Sequence, residues 1–273
     1  MSEAALERIA AALERLAPPA APATDWALHP AYIWDATGPR PVERLVAPPL
    51  VLLRGIDAQK ETVAGNVARH AAGHAAHDML LWGARGMGKS ALIRGSIAAA
   101  QEAHPGAIAL VQIAPDALSG LTALFGALGR VERRFLVYID DLGFEDGDGT
   151  GPRQLRSWLE GGVEARPGNV RLAVTANRRA IVPRHMAEQD DPINPRDAVD
   201  DKLALADRFG LSVGFHNCSQ DDYLAIVTGY TEAHGMAFEP GDALEWAKRR
   251  GARSGRVAWQ FLTELAGRAG RSL

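Results

Sequence analysis

A single cysteine, Cys218, stands among 273 residues. No intramolecular disulfide can form, so the chain is not built for an oxidising compartment. No run of about 18 uncharged apolar residues occurs, so no membrane-spanning helix is expected. A basic excess is missing too: 30 Lys and Arg against 33 Asp and Glu leave a net charge of −3. Proteins whose main task is to coat nucleic acid usually carry such an excess. The opening Met-Ser-Glu-Ala-Ala-Leu-Glu lacks the basic start and apolar middle of a secretory signal. These absences together predict a cytoplasmic protein with no membrane partner. No internal repeat is present. What remains is ordinary for a globular chain: 47% hydrophobic and 23% charged residues exclude wholesale disorder.

Residues 2–16 place Leu6, Ile9, Leu13 and Leu16 on one helical stripe, which ends at Pro18-Pro19 and a Pro/Ala-rich linker. That helix has two uses open to it: docking on its own domain, or serving as a contact arm. The stretch 26–54 holds five prolines and resists assignment. It is expected to wrap the next domain, with Trp26, Tyr32 and Trp34 as anchors. From Asp57 onward the pattern is regular. Strands are expected at 78–82, 108–113, 135–139, 170–176 and 211–215. Amphipathic helices fall between them, at about 58–73, 91–103, 118–128 and 155–163. Largely uncharged strands alternating with such helices form a parallel sheet covered on both faces.

After Phe215 only helical patterns follow. Ser219-Gln-Asp-Asp222 resembles a capping box, Pro240 fits a helix first turn, and a last helix begins near Gly255. The expected division is 1–24 as arm and linker, 25–216 as α/β core with an N-terminal extension, and 217–273 as a helical unit. Charge is uneven along the chain. Residues 248–273 hold seven basic side chains and one acid, net +6; residues 188–201 hold six acids and Arg196, net −5. Both read as solvated faces, with a contact between neighbouring copies as the alternative.

The segment Gly83-Ala84-Arg85-Gly86-Met87-Gly88-Lys89-Ser90 fits Gly-x4-Gly-Lys-Ser/Thr, and Ala91 continues into a helix. Glycines let backbone N–H groups curl around phosphates at a helix N-terminus, where negative charge is favoured. Lys89 supplies a cation to the phosphoryl group, and Ser90 a hydroxyl to Mg2+. ATP and Mg2+ are therefore the expected cofactors. Phe135-Leu-Val-Tyr-Ile-Asp140-Asp141 is a buried strand ending in two carboxylates. Asp140 would serve the metal with Ser90, and Asp141 would orient the attacking water. Asp141 is one methylene shorter than the glutamate common at that position; Glu145 lies nearby and could substitute.

These motifs resemble those of AAA+ ATPases, and more narrowly a bacterial AAA+ family of unknown function. The resemblance implies an α/β P-loop NTPase fold with a five-stranded parallel sheet of AAA+ type and a small C-terminal α-helical lid. It implies that Asn177, ending Val174-Thr-Ala-Asn, is sensor 1, and that Arg256 in Ser254-Gly-Arg256 is sensor 2. Arg208 in Leu205-Ala-Asp-Arg208-Phe-Gly resembles an arginine finger, with Arg178, Arg179, Arg184 and Arg196 as rivals. Ile56, in Gly55-Ile56-Asp57, resembles the adenine-contacting segment. An Mg2+-dependent ATPase follows, acting as a nucleotide-dependent homo-oligomer, with a hexamer among its forms, to remodel a macromolecular partner. The alternative is a slowly hydrolysing switch or loader that holds a protein or DNA partner. A small-molecule kinase fits less well, because such kinases rarely carry a helical lid. No aromatic–hydrophobic–Gly threading triplet is present. His70, His74 and His77 read as helix surface and loop, not as metal ligands, and Cys218 as an inert thiol.

Overall fold

A computed structural model describes residues 24–142, 166–177 and 208–273, together with Ala5 and Leu159. The N-terminal stripe and linker, Glu145, most of the 155–163 segment, the four rival arginines and the acidic run lie outside these residues. Strands β1 (Ala31–Asp35), β2 (Gly38–Val42), β3 (Met79–Gly83), β4 (Ile108–Ile113), β5 (Arg134–Ile139), β6 (Val170–Ala176) and β7 (Leu211–Phe215) form one sheet. Their order is β2-β1-β4-β5-β6-β3-β7. All neighbouring pairs are parallel except β1 with β2.

The five expected parallel strands are present, and the unassigned 26–54 stretch adds two more. Tyr32, fully buried, seats β1 against β4. Pro39 and Pro41 of β2 cannot donate to a ladder, and β2 accordingly occupies the outer edge, where that costs nothing. Arg133 ties this extension down. Its Nη1 donates to the carbonyls of Trp26 (3.0 Å), Ala27 (3.0 Å) and His29 (2.8 Å), and its Nη2 to that of Ile108 (3.2 Å). Four carbonyls thus take up both terminal nitrogens of this buried guanidinium, while its Nε has no hydrogen-bond partner.

Alternation along β5 separates two apolar layers. Leu136 and Tyr138 face helices α1 (Asp57–Ala71) and α2 (Lys89–Ala103), while Phe135, Val137 and Ile139 face α3 (Leu121–Leu128). Here one sequence expectation is corrected. His70 is not on the helix surface: it is 2% exposed. Val63, Val67 and His70 continue one stripe at helical spacing, so His70 is carried inward. Its Nε2 donates to the Phe135 carbonyl at 3.1 Å. Burial holds its pKa down at about 4, with the Arg171 and Arg134 cations adding to the effect. His74 and His77 are exposed, as expected.

Three helices follow β7: α4 (Gln220–Ala233), α5 (Pro240–Arg249) and α6 (Gly255–Arg268). The capping box at Ser219 is formed: Ser219 Oγ accepts from the Asp222 N–H at 3.1 Å, and Asp222 Oδ2 accepts from the Ser219 N–H at 3.2 Å. Ile226, Val227, Phe261 and Leu262 of α4 and α6 join the same apolar layer as α1 and α2. An Arg54–Glu232 ion pair at 2.9 Å links the extension to α4. No described helix is long and apolar enough to cross a membrane.

Candidate functional site

The order β5-β6-β3 puts three parallel strands side by side, so their C-terminal ends share one edge of the sheet. That edge is where open α/β sheets bind ligands. It receives Asp140 from β5, Asn177 from β6 and the 83–90 loop from β3. Gly83, Gly86 and Gly88 have φ of +124°, +75° and +89°, a region that other residues enter only with strain. A Cβ on Gly83 would lie 2.0 Å from the Phe215 carbonyl oxygen, and one on Gly86 would lie 2.9 Å from Ser254 Oγ. The loop therefore curls as drawn only with glycine at these positions, and its last glycine leads into the N-terminus of α2.

Lys89 is 8% exposed. Its Nζ donates to the carbonyls of Gly83 and Ala84, each at 2.8 Å. Burial lowers its pKa, and the Asp141 and Asp140 carboxylates oppose that effect. Ser90, one residue on, donates from Oγ to Asp140 Oδ1 at 2.8 Å. Thr175 Oγ1 donates to the same oxygen at 2.7 Å. Burial pushes Asp140 upward, but the neighbouring hydroxyls of Tyr138, Thr175 and Ser90 and the Arg94 cation outweigh it, so its pKa sits below the ordinary value.

Asp141 has φ +51°, and among the described residues no other non-glycine has a positive φ. Its N–H donates to Thr175 Oγ1 at 2.8 Å, and its carboxylate accepts from Asn177 Nδ2. A strained backbone of this kind costs of order 1 kcal/mol and persists where its surroundings hold it. Thr175 thus ties the Asp140 carboxylate to the Asp141 backbone. Sequence reasoning gave it no role; the available signal was a hydroxyl two positions before Asn177 in an otherwise apolar strand end.

A cavity of 1040 Å³ opens in front of these groups. Loop residues Arg85 through Ala91, the two carboxylates, Asn177, Ile56 and Arg256 all line it. Arg256 also donates its N–H to the Gly86 carbonyl at 3.2 Å, so α6 begins on the loop itself. Gly83 and Ala84 do not line the cavity; they act through their carbonyls on Lys89. Arg208 does not line it either, being half-buried in the turn before β7. The apolar end of the cavity was missed: Pro48, Leu52 and Leu53 from the extension face Ile226, Tyr230 and Trp259 from α4 and α6. Tyr230 and Trp259 meet edge to face at 5.3 Å.

The donor set fits ATP and Mg2+. A glycine cradle at a helix N-terminus suits phosphates. Two oxygens 2.8 Å apart, one a hydroxyl and one a carboxylate, suit a hard divalent cation. No cluster of three or more His, Cys, Asp or Glu placed to hold a metal exists among the described residues. Cys218 is buried, and burial together with Asp222 raises its pKa to about 11, an unreactive thiol.

A profile of the family described as "Protein of unknown function (DUF815)" matches residues 27–269. The Thermotoga maritima RuvB Holliday junction branch migration motor is similar in structure, with a TM-score of 0.54 at 16% identity, over 84% of this chain and 68% of that one. The Aeropyrum pernix ORC2 protein, as ADPNP–ADP complexes, gives 0.55 at 15% identity, over 84% and 67%. The Aeropyrum pernix ORC1 protein in complex with DNA gives 0.53 at 17% identity, over 84% and 66%. No curated protein matches the chain by sequence. At these identities the structural likeness is one of fold.

Proposed function

The chain belongs to the DUF815 family and has the fold of a AAA+ P-loop ATPase, and from that premise we propose that it binds and hydrolyses ATP with Mg2+, working as an oligomer on a macromolecular partner. The observation that carries this reading is the convergence of the glycine cradle, Lys89, Ser90 and Asp140 on one end of one cavity. The phosphates would lie along the 83–90 loop, with Lys89 and Arg256 as their cations. Ser90 and Asp140 would hold the metal, which neutralises phosphate charge when bound. Asp141, fixed by Thr175 and Asn177, faces the position of an attacking water. The base would occupy the apolar end, beside Ile56.

Arg208 lies off its own cavity, which suits service to a neighbouring subunit's site. A second reading, a slowly hydrolysing switch that holds its partner, draws support from Asp141. Its carboxylate is short and tied to Asn177. The partner is a protein or a nucleic acid. The ORC1 neighbour was solved with DNA, and the +6 stretch of residues 248–273 would contact phosphates, with affinity falling steeply as salt rises.

The test is ATP hydrolysis against protein concentration, with mass by light scattering in ATP and in ADP and Lys89→Ala as blank. A shared-site oligomer gives turnover rising faster than linearly. Arg208→Ala then keeps ATP binding and loses roughly 10³-fold or more in rate. Binding without turnover in a monomer selects the switch, and unchanged turnover in Arg208→Ala removes the finger.

A further inference from the structure

Tyr138 lies two positions before Asp140, so both point to the face of β5 that α2 covers, where Ser90 stands in the helix's first turn. It is 1% exposed, and its hydroxyl oxygen is sealed from solvent with no hydrogen-bond partner. The rest of the strand from Phe135 to Ile139 is apolar. A phenylalanine would fill the same volume and leave no unpaired O–H, so the hydroxyl needs a reason to be there. Its surroundings supply one. The polar groups acting on it from close by are Asp140, Ser90 and Thr175. Two of these already donate to Asp140 Oδ1, Ser90 at 2.8 Å and Thr175 at 2.7 Å.

We infer that Tyr138 is a positioning residue of the metal site: its O–H is a third donor for the Asp140 carboxylate, taken up when that carboxylate turns to a divalent cation, and it fixes the orientation in which the cation is held. This rests on the Mg2+·ATP reading above. Groups that hold a metal-binding carboxylate in place are commonly worth 10- to 100-fold in metal affinity.

Tyr138→Phe removes one oxygen and keeps the packing. A fluorescent ATP analogue is titrated onto wild type and variant in EDTA and then at stepped Mg2+, and thermal melts are run in both media. The variant should melt at or above wild type in EDTA, because an unpaired buried hydroxyl has gone. Its Mg2+-free nucleotide affinity should be unchanged. The Mg2+ concentration for half-maximal tightening of binding should rise roughly tenfold or more, and Mg2+·ATP should raise the melting temperature less than in wild type. Equal Mg2+ half-saturation in the two proteins overturns the assignment while leaving the nucleotide reading intact. A variant that melts well below wild type in EDTA overturns it as well, since the hydroxyl then has a structural partner. Wild type that binds no nucleotide, or binds it without regard to Mg2+, overturns the nucleotide reading and this assignment with it.

Discussion

Replacing Lys89 with methionine separates binding from folding. The side chain is 8% exposed and sits between two carbonyls at 2.8 Å. Methionine keeps most of its volume. Losing two hydrogen bonds from a charged donor removes about 1.5–3 kcal/mol each. The desolvation cost of an ammonium, several kcal/mol, is lifted at the same time. The two effects oppose each other, so stability should stay within about 1 kcal/mol, or roughly 2 °C in melting temperature for a chain of this size. Nothing offsets the loss at the phosphates. A unit charge about 4 Å from a phosphate charge is worth about 4 kcal/mol at an effective dielectric of about 20. Allowing up to half of that for residual solvation leaves about 2–4 kcal/mol, or about thirty- to thousandfold in ATP affinity. Calorimetric titration of ATP·Mg2+, beside a thermal melt, reads both quantities. ATP affinity within threefold of wild type would refute the placement of phosphates at this loop. A melting point lowered by more than about 10 °C would refute the cancellation.

Stability should also fall with acid through His70. Unfolded histidine takes up a proton below about pH 6.5, whereas native His70 stays neutral down to about 4, so between these values the unfolded state binds more protons. From pH 6.5 to 4.5 wild type should lose about 2 kcal/mol more than His70→Gln, measured by urea unfolding at stepped pH; parallel pH profiles would remove the effect from His70. Gly86→Ala should cost about 1–2 kcal/mol for its left-handed backbone. Its Cβ would also crowd Ser254 Oγ at 2.9 Å and push α6 off the loop. ATP affinity should then drop roughly tenfold, an energy similar to the strain cost. Unchanged affinity would show that the contact between loop and α6 plays no part in binding.

Much of this protein was legible from local pattern. Five largely uncharged strands, the helices between them and the capping box at Ser219 follow from periodicity and cap chemistry, which need only near neighbours in the chain. The 83–90 loop was legible because its backbone requires glycine at fixed spacing, and such a requirement is written directly in residue type. Strand β1 was hidden because Tyr32 and Trp34 sit among five prolines, and only pairing with β4 makes that segment extended. His70 was misread because one polar residue on an apolar stripe is ambiguous until the surface facing it is known; the Phe135 carbonyl is 65 residues away.

The site divides in the same way. Lys89, Ser90, Asp140 and Asn177 could be named from sequence, since each belongs to a short motif. That Thr175 bonds to both Asp140 and Asp141, and that Tyr138 places an unpaired hydroxyl beneath Asp140, depends on which strands lie side by side. The apolar end of the cavity depends on Leu52 and Leu53 meeting Tyr230 and Trp259 across nearly 200 residues of chain. Sequence by itself determined the elements from Asp57 onward and the phosphate loop, because those are set by bonds and neighbours a few residues apart. The tertiary structure decided the walls of the cavity and the partners of its carboxylates, because those contacts exist only once the sheet order and the docking of the last three helices bring distant residues together.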